Sequence, residues 1–179
     1  FCHALPGTWH QMGVILSATD SLNWLSRITS TEPSALTAEL GDTLLAPGPE
    51  MFLPYLSGER TPHNDAAIRG GFAGLGHESD RSELTRAVLE GVCFAFRDSL
   101  AALAQAGTSL SRVTAIGGGS KSDYWIEALA TVLDLPVDIP EGGDFGAAFG
   151  AARLGLIAAE NADPFSVCTQ PATERTLHP

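Results

Sequence analysis

Residues 113–122 read Val113-Thr114-Ala115-Ile116-Gly117-Gly118-Gly119-Ser120-Lys121-Ser122, and Val137-Asp138-Ile139 follows one helix length later. A β-branched run, a glycine turn, a helical pattern over 122–133 and a second β-branched run make one strand–helix–strand unit. Strands alternating with helices place the chain in the α/β class. The glycine turn has the form that receives a phosphate or a nucleotide edge: glycines let a ligand approach the backbone, and the following helix presents unpaired amides. The same form also serves as a tight connection with no ligand, and spacing alone leaves both readings open.

Two named nucleotide motifs can be tested on these residues. A P-loop requires Gly directly before Lys-Ser, but Ser120 stands there and the motif's earlier glycine would fall on Ala115, so this reading fails. A dinucleotide-binding turn, Gly-x-Gly-x-x-Gly, would place its third glycine at Ser122, although Asp138 lies near the distance at which that motif wants an acid. An NAD-binding domain is therefore weakened as a reading and retained as a rival.

Downstream of the unit, Gly142-Gly143 leads into a helix over 145–158 built almost wholly from small residues, and an irregular tail is expected after 161. Upstream, residues 80–106 form the clearest helix, with Leu84, Val88, Gly91, Ala95, Ser99 and Leu103 repeating at steps of three and four along one stripe. Gly107 ends it, and Ala87, Gly91 and Ala95 would let another element pack closely. Short strands are expected at 51–53 and 70–75, flanking a long polar loop over 57–65. Nearer the start, residues 8–15 read as an extended apolar stretch, and the cluster Ser17-Ala18-Thr19-Asp20-Ser21 offers helix N-caps. Leu22, Leu25 and Ile28 would share one face of that helix with Trp24 beside them; a second helix is expected within 34–45, ending at Ala46-Pro47-Gly48-Pro49.

Composition narrows the function classes. The 179 residues are 44% hydrophobic and 17% charged, an ordinary balance for a globular domain with its own core. A formal net charge of −11 argues against a protein that tracks nucleic-acid phosphates, yet it leaves room for ATP, which local amides and a metal ion can hold. No apolar run reaches the roughly 18–20 residues of a membrane span, and a cytoplasmic location is expected. Cys2, Cys93 and Cys168 are scattered, which favours reduced thiols, and neither they nor the five histidines show metal-ligand spacing, so no protein-held metal is expected. The chain begins at Phe1 and is expected to be a piece of a longer protein.

Several motifs in order carry a resemblance. Residues 70–90, with Phe72, Gly74-Leu75, Glu83-Leu84 and Ala87-Val88-Leu89-Glu90, resemble the second signature of the FGGY carbohydrate kinases. Phe1-Cys2-His3-Ala4-Leu5-Pro6 with Trp9-His10, and Phe52-Leu53-Pro54-Tyr55-Leu56-Ser57-Gly58-Glu59-Arg60-Thr61-Pro62-His63-Asn64, are similar to the D-xylulose-phosphorylating branch of that family. The likeness continues through 116–125 and into Gly142-Gly143-Asp144, Gly146-Ala147-Ala148 and Gly150-Ala151-Ala152, covering about residues 1–158.

This resemblance implies an actin-like ATPase (ribonuclease H-like) fold with two domains and a cleft between them. Residues 1–158 would be the C-terminal, nucleotide-binding domain and 159–179 an irregular tail. The implied cofactors are ATP and Mg2+, and the implied reaction is phosphoryl transfer from ATP to D-xylulose, giving D-xylulose 5-phosphate. The family's base, sugar-binding residues and main phosphate loop belong to the first domain, so no catalytic residue is expected here and the chain alone is expected to be inactive. Carried over by motif, Gly118, Gly119 and Ser120 would touch adenosine through their backbone, with Asp123 one helical turn later. Thr19 and Asn23 would approach from the other side, Asn23 also reading as an ordinary surface residue. The helix after Asp144 resembles the family's interdomain connecting helix, or is simply packed tightly. The charged loop 59–65 is read as bracing the cleft wall or a domain interface.

The expected partners are ATP/ADP and a sugar held mainly by the other domain, with no nucleic acid and no membrane; a homodimer is left open. Rival readings are a kinase for gluconate, ribulose or glycerol, and an actin-like scaffold that binds ATP without a small-molecule acceptor.

Overall fold

The computed structural model describes residues 1–143 and 146–179. Residues 8–15, expected to be extended, form no strand: Trp9 makes an isolated bridge with Cys2, and Val14 is hydrogen-bonded to Thr61. Ser17 then starts α1 (Ala18–Thr29), with Asp20 in its first turn and Arg27 in its last, each sign matched to the helix dipole at its end. Leu22 and Leu25 are buried as expected, but Ile28 is 58% exposed. Steps of three residues drift about 60° around a 3.6-residue helix, so the third member of such a series has rotated off the buried face. Helix α2 (Pro33–Ala38) opens on proline and buries Leu36 completely; it is shorter than the expected 34–45, and Leu40 and Leu44 reach the core from irregular chain.

Strands β1 (Met51–Leu53) and β2 (Gly71–Ala73) pair antiparallel, Phe52 opposite Phe72. Trp24 of α1 stacks on Phe52 at 5.7 Å between ring centroids, and Phe52 meets Phe72 at 4.8 Å, so three aromatics join α1 to this small sheet. Beneath it runs α3 (Arg81–Gln105), whose Asp80 accepts from the Ser82 and Glu83 amides while Glu83 Oε2 accepts from the Asp80 amide at 2.9 Å.

The single buried stripe expected for this helix is not what forms. Every residue from Ala87 to Cys93 is buried, because α1, α2, α4 and β1 pack around α3; Leu84 and Leu103 are only half-buried. Val88, Leu89 and Val92 are fully buried, each contributing about 1.5–3 kcal/mol of transfer free energy. That exceeds any difference in helix propensity, so packing holds α3 in place.

The strand–helix–strand unit forms as β3 (Val113–Thr114), a 3-10 turn (Gly118–Lys121), α4 (Asp123–Leu133) and β4 (Val137–Pro140), with β3 and β4 parallel. Ser122 caps α4 by accepting from the Trp125 amide. All four residues of β4 are buried, the pattern of a strand covered on both faces.

Helix α5 (Gly146–Glu160) has no buried residue in its span. Asp144 and Phe145, which belong to the expected glycine motif and helix start, lie outside the described residues. The end of the chain differs from the irregular tail expected: α6 (Pro164–Val167) packs on α5, and β5 (Thr173–Leu177) pairs antiparallel with β4, Val137 opposite Leu177. Thr-Glu-Arg-Thr-Leu carries no apolar alternation to announce a strand; the open edge of β4 recruits it by backbone hydrogen bonding.

Candidate functional site

Ala115 donates to Asp138 O at 2.9 Å and thereby delivers the chain from β3 into the turn. Gly117 then adopts φ 90°, in the left-handed region that favours glycine. Gly118 and Gly119 open the 3-10 turn, where the first amides have no partner within the helix. Ser120 is 6% exposed and closes on itself: both its amide, at 3.1 Å, and its hydroxyl, at 2.7 Å, donate to Gly117 O. Its backbone donor is therefore spent on the turn.

The turn faces α1. A Cβ built on Gly119 would lie 3.2 Å from Thr19 Oγ1 and 3.4 Å from the Trp125 ring, so Thr19, Gly119 and Trp125 are in near-contact. These three residues are shared by two cavities. The larger, about 360 Å³, is walled by Thr19 and Asn23 of α1, by Pro33, Ser34 and Thr37 of α2, and by Gly118, Lys121 and Ser122. The smaller, about 170 Å³, runs between α3, α4 and β3 over an almost wholly apolar lining that includes Val92, Phe96 and Ile126. Trp125 is fixed between them by donating Nε1 to Leu89 O at 3.2 Å, which satisfies its only polar group.

Of the six residues expected to bind nucleotide, the structure brings Thr19, Asn23, Gly118 and Gly119 to the larger groove. Ser120 lies beneath the turn, lining the smaller cavity and a shallow pocket beside Arg175. Asp123 does not line that groove: its Oδ1 is 2.6 Å from Arg175 Nη2, and with Glu127 and Asp42 it lines an adjoining depression that shares Ser34, Thr37, Lys121 and Ser122 with the groove. The α2 wall, Ser34 and Thr37, carried no motif. Trp125 lies in the stretch that carries the family likeness but was given no role there, and packing shows that its ring floors the groove.

The loop at 59–65 lies outside both cavities. Glu59 is 1% exposed and accepts from Leu16 and Arg60 amides at 3.1 and 2.7 Å. His63 Nε2 meets the Tyr55 hydroxyl at 3.0 Å. Burial pushes the Cys93 thiol up to about 12, with the Trp125 side chain opposing, so this cysteine is a packing residue rather than a nucleophile. Among the described residues no group of three or more His, Cys, Asp or Glu side chains could hold a metal ion, and no helix is long and apolar enough to cross a membrane.

Comparison with known proteins gives concordant results. The profile of the FGGY family of carbohydrate kinases, C-terminal domain, matches residues 2–159. The xylulose kinase of Escherichia coli (strain K12) is 47% identical over 160 residues, spanning 89% of this chain and 33% of that protein. A crystal structure of a xyloylose kinase from Brucella ovis superimposes with TM-score 0.91 at 66% identity, over 100% of this chain and 37% of that one. A gluconate kinase from Lactobacillus acidophilus superimposes with TM-score 0.72 at 27% identity, over 92% of this chain and 34% of that one. The chain thus spans about a third of the length of the curated relatives it matches.

Proposed function

The chain belongs to the FGGY family of carbohydrate kinases, as its C-terminal domain, and from that premise we propose that the groove between α1, α2 and the glycine turn receives the adenosine of ATP. The observation that carries this reading is the convergence of Thr19, Asn23, Gly118 and Gly119, from segments about a hundred residues apart in sequence, on one groove of about 360 Å³. The base would rest on the bare glycine backbone and the Trp125 ring, while the Asn23 carboxamide, Ser34 and Thr37 supply donors and acceptors at the rim. Asp123 is given to Arg175 in this arrangement.

The whole protein, in this reading, transfers the γ-phosphoryl group of ATP to D-xylulose in the cytoplasm. Phosphoryl transfer depends on positioning, charge neutralisation and a base for the attacking hydroxyl. This chain positions the nucleotide; base and sugar contacts come from outside it. Mg2+ would travel with the nucleotide, since this ion is usually held by phosphates, waters and one or two carboxylates. The helix α5 would serve as the connection between the domains. Its described residues, none of them buried, fit a surface that another part of the protein covers.

Titrating the chain with ATP and NAD in parallel tests the groove: ATP binds and NAD does not. Preference for NAD would overturn the reading. A coupled assay of the chain alone is expected to show no xylulose-dependent ADP production, and steady turnover would refute the division of labour. Gluconate, ribulose and glycerol compared with D-xylulose in the whole enzyme separate the sugar assignments.

A further inference from the structure

The geometry points to Glu59 as a positioning residue for the nucleotide wall, acting through the start of α1; this rests on the groove reading above. Its carboxylate is withdrawn from solvent, and its Oε2 has no hydrogen-bond partner among the described residues. Burying a carboxylate is costly, and an apolar side chain would fill the same volume more cheaply if packing were all that mattered. The carboxylate's bonds show what it does. Oε1 accepts from the Leu16 amide, two residues before α1 begins, and from the Arg60 amide.

Two further bonds run beside it: Val14 N donates to Thr61 Oγ1 at 2.9 Å, and Thr61 N donates to Val14 O at 3.0 Å. The loop end is itself closed, because Glu59 and Asp65 exchange both backbone hydrogen bonds at 2.9 Å, and Asp65 Oδ1 accepts from Ala67 N at 2.7 Å. Ser17, the N-cap of α1, makes no side-chain cap bond. The start of the helix is therefore fixed from outside, by a rigid loop holding residues 14–16. A carboxylate there also meets the partial positive charge of the helix amino end. Thr19 lies in the first turn of that helix and Asn23 one turn on, so the Thr19–Gly119 approach is set by where Glu59 puts Leu16.

The test uses ATP titration and amide hydrogen exchange on the full chain. Glu59→Ala is expected to weaken ATP about tenfold and to speed exchange in the first two turns of α1 by a similar factor, with α4 unchanged. Glu59→Gln keeps an acceptor for Leu16 and stays within about twofold of the parent. Should Glu59→Ala not fold, Thr61→Ala, which removes only the Val14 acceptor, is expected to give about a threefold effect with the same localisation. Unchanged exchange in α1, or a Glu59→Gln defect as large as that of alanine, overturns the proposal. If the parent chain binds no ATP, the groove reading fails, and the exchange pattern alone decides whether Glu59 sets α1.

Discussion

Gly118 and Gly119 stand side by side for different reasons. A side chain at Gly118 would meet nothing within 4 Å, whereas one at Gly119 would press on Thr19 Oγ1 and the Trp125 ring. Gly119→Val is therefore expected to weaken ATP binding and also to cost about 1–3 kcal/mol of stability by overpacking. The cleaner probe is Gly118→Ala. Its backbone is outside the left-handed region and a Cβ there would lie in open space, so stability should stay within about 0.5 kcal/mol. A nucleotide seated on the turn would lose affinity at least severalfold, read by titration beside a thermal melt. Unchanged affinity in both variants would remove adenosine from the turn. Sequence identified these glycines as a place for ligand approach; it could not tell the packing glycine from the open one, because that depends on a side chain a hundred residues away.

At the scale of elements, α3 decides most. A Cβ at Gly91 would collide with the Phe52 carbonyl oxygen, so β1 lies directly on the helix backbone. Alanine gains about 1 kcal/mol in helix propensity but loses about 1–3 kcal/mol to the collision. Gly91→Ala is expected to lower the melting temperature by several degrees, since about 1 kcal/mol moves a chain of this size by roughly 2–4 °C. A rise instead would mean that β1 yields to α3. The sequence pattern located α3 to within a residue at each end, through its apolar steps and Gly107, and the structure adds the Asp80 cap. It misjudged the burial: periodicity detects a helix with one wet face, and this one is wrapped by four elements over its middle turns.

The whole molecule is closed at one end by β5. Asp138, 2% exposed on β4, is held by Arg112 Nε at 3.0 Å and by the Thr176 hydroxyl at 2.6 Å. Removing residues 170–179 would strip Thr176 from a buried carboxylate and uncover Val137. Hydrogen exchange at the β4 amides is expected to accelerate at least about tenfold, while the α1–α3 core keeps its protection; unchanged β4 protection would show that β5 is merely draped on the sheet. Asp138 also shows how a sequence signal changes meaning. Its position fits the acid of a dinucleotide turn, yet inside the sheet its Oδ1 accepts from Thr176 and its charge is paired with Arg112.

By itself the sequence determined the α/β class, the order of the main elements, the family and the glycine turn, because each rests on local pattern or on motifs in fixed order. The tertiary structure alone decided that α2 and Trp125 complete the groove, that Asp123 turns to Arg175, and that the final residues become a strand. Those outcomes depend on which distant surfaces meet, and contacts between residues far apart leave no period in the chain.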